Sequence, residues 1–350
     1  MRLATIMHVN SALPLLCYHH LEELIQHDDE RVVQKRLAYL RDLPAVAWIE
    51  PADGHAGLGT IVDIMAAEAR TAARDQAACA DDVVCRTRPG LIRRGNGIEA
   101  LRPYEDIWPM LADLARRKAQ DNRAMIALTS ARLSPLPRMR WSQLQGSLLR
   151  SSTDTQRVIG KMHSALTDDI IEHGDRRIAN PSAVAASFVD KVLAHATTLF
   201  PITPNSLQED LFSQGIEHAD MADDPWLPDL IDLIEFRGKL DLIQNELGID
   251  CRLVRAKANM RRIPTTVIGQ ALRRYGQRRT RTSGSDLYDR YLTCLAPYAD
   301  IVFVDKRTFE DVRRTLHAEP SFAGLLQSVT RVVNYGKIAA LLEQRRNSAG

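Results

Sequence analysis

An apolar run from Leu13 to Cys17 is followed, from His20 onward, by apolar residues spaced three and four apart. Leu21, Leu24 and Ile25 share one face, and the spacing predicts a helix that continues to Leu40. After the Leu43-Pro44 break, Ala45 to Ile49 predicts a buried strand. The first fifty residues therefore read as strand, helix, strand. From about residue 58 to about residue 250 the pattern is helical, cut by Pro and Gly. Ile61 to Ala73 is alanine-rich, and Ile107 to Ala131 is a long amphipathic stretch. Asn180-Pro181 reads as an N-cap with proline at the first helical position. Ser206 with Glu209 predicts a capping box ahead of Leu211 and Phe212. Leu227 to Leu247 carries a core face of Leu230, Ile231, Ile234, Leu242 and Ile243.

Near the other end, Gly284-Ser-Asp-Leu-Tyr-Asp predicts a helix opened by an acid. Ile301 to Val304 is too continuously apolar for a half-exposed strand, and predicts one covered on both faces, as in a parallel sheet. It ends at Asp305. Thr308 to Leu316 reads as a helix, Val329 to Val333 as a strand and Lys337 to Gln344 as a closing helix, with residues 346–350 fraying. No internal repeat or low-complexity tract appears.

At 350 residues the chain has room for one large domain or two ordinary ones. Its 46 basic and 44 acidic residues nearly balance, and an aromatic content of 5% argues against a surface built on base stacking. Cys17, Cys79, Cys85, Cys251 and Cys294 form no CxxC pair and no zinc spacing, which suits a reducing, cytoplasmic setting. His8, Asn10 and Ser11 interrupt the only candidate signal core, and no apolar stretch approaches a membrane span.

One segment departs from the overall balance. Arg252, Arg255, Lys257, Arg261, Arg262, Arg273, Arg274, Arg278, Arg279 and Arg281 fall in residues 252–281 without an acid among them. Such an excess suits contact with an RNA or other nucleic-acid backbone, or a solvated face paired with acids elsewhere. The loop from Pro51 to Thr60 holds three glycines, as a phosphate cradle or a plain flexible loop would, in an order that matches neither the P-loop nor the dinucleotide fingerprint.

In open parallel sheets, ligands bind at the carboxyl ends of the strands. Asp305 there, with Asp286 or Asp289 from the preceding helix, suits a divalent cation. Glu23 in Cys-Tyr-His-His-Leu-Glu-Glu-Leu, Asp286 in Gly-Ser-Asp-Leu-Tyr-Asp and Asp305 in Phe-Val-Asp-Lys-Arg together resemble the acidic motifs of the PIN-like domain family. The resemblance spans residues 10–50 and 262–345. It implies an α/β fold with a three-layer PIN-like core and a parallel sheet. That core would be discontinuous, from residues 1–55 and 260–346, interrupted by a large, mostly helical insertion at 56–259. It further implies a metal-dependent ribonuclease in which Glu23, Asp286 and Asp305 hold Mg²⁺ or Mn²⁺, with Asp289 as the alternate ligand. In such a site the ion activates water and offsets charge on the phosphate. Lys306 and Arg307 adjoin the strand end, to steer a phosphate or simply as exposed charges.

The family usually opens with a strand carrying an aspartate, which this chain lacks before its first helix. Either the chain starts downstream of that element, another acid such as Asp63 substitutes, or the site is incomplete. Two other functions stay open. His20, Glu23 and His27, at i, i+3 and i+7, would put zinc or iron ligands on one helix face, short of the His-Glu-x-x-His pattern. Alternatively the PIN-like ends form a catalytically inactive scaffold in a helical protein-interaction module.

Overall fold

The computed structural model describes residues 3–130, 139–146, 152–198, 203–277 and 279–349. In chain order its elements are α1 (Leu3–Val9), β1 (Leu15–Leu16), α2 (Tyr18–Ile25), α3 (Glu30–Arg41), β2 (Val46–Ile49), α4 (Ile61–Arg74), α5 (Ala80–Leu91), β3 (Ile92–Gly95), α6 (Gly97–Leu101) and α7 (Trp108–Thr129). There follow α8 (Trp141–Gly146), α9 (Ser152–His173), α10 (Pro181–Thr198), α11 (Pro204–Ser213), α12 (Leu227–Leu247), α13 (Lys257–Met260), α14 (Pro264–Tyr275) and α15 (Ser285–Thr293). The last are β4 (Val302–Val304), α16 (Lys306–Ala318), α17 (Ala323–Leu326), β5 (Val329–Arg331) and α18 (Tyr335–Ala349). The protein is mostly helical, with small mixed and parallel sheets. Ala131, expected to end a helix, lies outside the described residues, as does Gly350 at the end of the expected frayed tail.

β1 runs parallel to β2 with Leu15 opposite Ala47, and β3 pairs antiparallel with β2 so that Trp48 faces Arg93. β4 and β5 form a separate parallel pair, Val302 opposite Val329. β3 is missing from the sequence reading because Ile92-Arg93-Arg94-Gly95 contains one large apolar residue. Its two arginines are exposed on an edge strand, Arg93 lying 5.7 Å from the Trp48 ring centre, and charge at an edge discourages pairing with other chains. β2 is buried along its whole length, as expected. β4 is only half-buried, which corrects the expectation of a strand covered on both faces.

The predicted helix from His20 to Leu40 is two helices. Asp29 caps α3 by accepting from the Arg31 amide at 2.9 Å, so the chain turns between Ile25 and Glu30. At α11 the cap is Thr203, with Ser206 as its reciprocal partner at the third position, rather than Ser206 with Glu209. Asn180 does cap α10, accepting from the Ala183 amide at 3.0 Å.

The chain divides into two units. The first comprises residues 1–118, 243–278 and 288–350, the second residues 119–242 and 279–287. In the first, one core joins both ends of the chain: Cys17 and Ile49 with Ile268, Leu295, Val312 and Val329. A second cluster gathers Leu21, Ile25, Val33, Leu40, Trp48 and Leu101 under α2, α3 and α6. Each fully buried side chain of this size stabilises by about 1.5–3 kcal/mol. In the second unit α9 and α10 pack through Leu166, Ile170, Ala185 and Val189. Among the described residues no helix is long and apolar enough to cross a membrane, and the five cysteines are free thiols.

Candidate functional site

Cys17 follows β1 directly, in extended backbone, and opens α2. A strand does precede α2, but a thiol stands at its carboxyl end where the resemblance calls for an aspartate. Burial pushes that thiol up to about 11, so it stays protonated near neutrality. The ring of His20 turns back onto Cys17, its Nδ1 accepting the Cys17 amide at 3.1 Å and lying 3.3 Å from Sγ. Burial lowers His20 to about 4, and neighbouring His19 acts the same way. The His20, Glu23 and His27 face is therefore not made, since His20 is engaged with Cys17 and His27 lies beyond the end of α2, accepting the Asp29 amide.

The acid that turns inward from α2 is Glu22, not Glu23. Glu22 is buried, with Oε2 3.1 Å from Nδ1 of buried His19 and Oε1 2.5 Å from Nζ of Lys118 on α7. Burial opposes its ionisation, but the His19 and Lys118 hydrogen bonds prevail and hold it below the usual range. Nε2 of His19 accepts the Ile61 amide at 3.4 Å, which fixes the proton on Nδ1, facing Glu22. The His19 ring stacks on Tyr291 at 4.8 Å and meets the edge of Tyr288 at 6.3 Å. Glu23 is half-buried and raised by that burial, with Arg36 opposing.

The glycine loop leads from β2 into α4, and most of its amides are already taken. Thr60 Oγ1 accepts from Val62 and Asp63 at 3.1 and 3.4 Å, and Asp63 accepts the amides of Thr60 and Ala52 at 2.6 and 2.8 Å. Tyr104 accepts the Leu58 amide at 2.8 Å, and Gly57, at φ +124°, sits where a Cβ would strike that same hydroxyl. A carboxylate at the helix start repels phosphate, so the loop is an architectural joint. Asp63 is thereby occupied as a cap.

Asp305 lies exposed at the carboxyl end of β4 and caps α16, accepting the Thr308 amide at 2.7 Å. Lys306 and Arg307 are exposed beside it. Glu23, Asp289 and Asp305 belong to the first unit and Asp286 to the second. Asp286 is buried and ion-paired with Arg279, and it accepts the Ser283 amide at 2.9 Å. Asp289, half-buried, follows it one turn later on α15. Among the described residues, no three His, Cys, Asp or Glu side chains are gathered as a metal ion would need.

Much of the arginine-rich segment also has partners. Arg252 forks onto Asp250 at 3.0 and 2.7 Å, and Arg262 donates to the carbonyls of Ala72, Asp75 and Ala78. Arg281 reaches the Gly174 carbonyl at 3.4 Å. Arg278 lies outside the described residues.

A different feature is only partly legible in the sequence. α3, α6 and α7 bound a groove of about 510 Å³ lined by Leu37, Ile98, Leu101, Tyr104 and Trp108, with the Arg41–Glu105 pair among its polar residues. Ile98 is half exposed, and so are Met110 and Leu114 on α7, with Ile107 just before the helix. Three apolar residues at 107, 110 and 114 are legible as a stripe, but only the fold reveals that the stripe is bare.

Comparison with family models, curated proteins and solved structures finds no match to this chain.

Proposed function

We propose that the chain is a PIN-like α/β protein that works as a protein-binding module, with its candidate acids held by groups of its own chain. The shared core of the two chain ends supports the PIN-like reading. Carboxylate oxygens are the donor type Mg²⁺ or Mn²⁺ takes. Here, however, Glu22 is satisfied by Lys118 and His19, Asp286 by Arg279 and Ser283, and Asp305 by the start of α16. As arranged, these acids do not fit a resident divalent ion. The observation that carries the binding function is the groove with half-exposed Ile98 in its lining, to which the exposed Ile107, Met110 and Leu114 add apolar surface of a kind that marks protein contact sites.

A second reading, metal-dependent RNA hydrolysis, is favoured by one feature: Asp305 is exposed at a strand's carboxyl end with Lys306 and Arg307 beside it. Two assays on the same protein separate the readings. A photo-crosslinking residue at Met110 is expected to capture one discrete protein in cells, whereas the same residue at Glu310 on α16 is not. Incubation with an RNA pool and Mn²⁺ is expected to leave the RNA intact. Cleavage abolished by EDTA and by a folded Asp305→Asn variant, with no adduct at Met110, would replace the binding module with the nuclease.

A further inference from the structure

Glu68 is 0% exposed, on the face of α4 that otherwise buries Ile64, Met65, Ala69 and Ala72. Its Oε2 accepts the Thr265 amide at 3.0 Å and the Thr265 hydroxyl at 2.6 Å, and its Oε1 accepts the Tyr298 hydroxyl at 2.7 Å. Thr265 is the second residue of α14, whose N-cap, Ile263, offers no side-chain acceptor. Glu68 therefore caps α14 from another helix. Tyr298 closes the 3₁₀ turn Ala296–Tyr298 that leads into β4. One carboxylate thus ties α4 to α14 and to the approach of the second sheet.

The hydrogen-bond partners of Glu68 are neutral, and Arg262, just ahead of α14, is engaged by the carbonyls of Ala72, Asp75 and Ala78. From the α15 side Tyr298 faces the carboxylate, and beyond it the Cys294 thiol donates to the Thr265 carbonyl. On α14, next to Thr265, the buried Thr266 hydroxyl has no partner among the described residues, and Gln270 reaches the Met260 sulfur. From α5, Thr87 bonds to Thr71, while Arg70 on α4 itself reaches the Ala52 carbonyl. No Lys, Arg or His forms an ion pair with Glu68 among the described residues. Burial raises Glu68 to about 7, against the pull of its three donors. Either protonation state can be hydrogen-bonded, because the Tyr298 hydroxyl can turn from donor to acceptor when the acid carries a proton.

We propose that Glu68 is a proton-operated latch: neutral, it holds the start of α14 and the Ala296–Tyr298 turn onto α4, and ionised, with no cation paired to it among the described residues, it loosens them. The folded value is raised, so the stabilisation is full below the ordinary value near 4.5 and is lost as pH climbs through the folded one.

The test is amide hydrogen exchange in α14, corrected for intrinsic rates, from pH 5 to pH 8.5 in wild type and in Glu68→Gln. Wild type is expected to show faster exchange at Thr265 to Ile268 above a midpoint near neutrality, and Glu68→Gln to show a flat profile. A step of equal size in Glu68→Gln, or none in wild type, overturns the latch. Should Glu68→Gln fail to fold, Thr265→Val decides, because its hydroxyl donates to the acid in both states and more strongly to the ionised one, so its loss must move the midpoint upward. An unmoved midpoint rejects the proposal.

Discussion

Glu22 and Glu68 are both buried glutamates on helices of the first unit, and they are displaced in opposite directions. Glu22 meets a lysine at 2.5 Å and a histidine at 3.1 Å and is held ionised. Glu68 meets only an amide and two hydroxyls, and burial raises it. Burial penalises charge at both positions, so the nature of the nearest donor decides. A neutral donor relieves part of the penalty, and a cation reverses it. Where a buried acid already has a cation from its own chain, an external metal must displace that cation to bind.

The comparison breaks most severely at Glu68. Glu68→Ala leaves a cavity together with a stranded Thr265 amide and Tyr298 hydroxyl, and is expected to cost about 3–5 kcal/mol in urea unfolding at pH 6. Next comes the acid limb beside Glu22. His20 is lowered to about 4 from an ordinary 6.5, so its contribution is full above 6.5 and is lost as pH falls toward 4. Between those limits wild type should lose about 2–3 kcal/mol, a loss that His20→Gln should largely remove. The smallest effect is expected from Lys118→Met. A fully buried broken pair costs about 3–5 kcal/mol, but the Lys118 side chain is 46% exposed, which reduces the expectation to about 1–2 kcal/mol. The same change should raise the Glu22 titration, readable by carbon-detected NMR of its carboxyl group. A Glu22 carboxyl that stays put would show that His19 alone sustains its charge.

Local pattern foretold much of the framework. β2, α4, α12 and the Asn180 cap of α10 stand within a residue or so of where periodicity and capping chemistry put them. The strand leading to Asp305 was legible, but not its half-exposed state, because an apolar run reports hydrophobicity and not how many layers cover it. β3 was invisible, since its formation rests on pairing with β2 rather than on its own residues. The site was less legible than the fold. Adjacent Glu22 and Glu23 look equivalent in sequence, and only the rotation of α2 against α7 decides which one meets Lys118, 96 positions away. Glu68 gives no signal on its alanine-rich helix because its partners lie 197 and 230 positions downstream.

The core shared by the two chain ends also bears on synthesis. Ile49 waits for Ile268, Val312 and Val329 to emerge before its cluster is complete. Ribosomes add about 5–20 residues per second, so the interval between residues 118 and 329 lasts roughly 10–40 s. Meanwhile the helices of residues 119–242 can dock among themselves. The amino-terminal third then stands as an exposed apolar half-core, a natural client for chaperones until the last strand arrives.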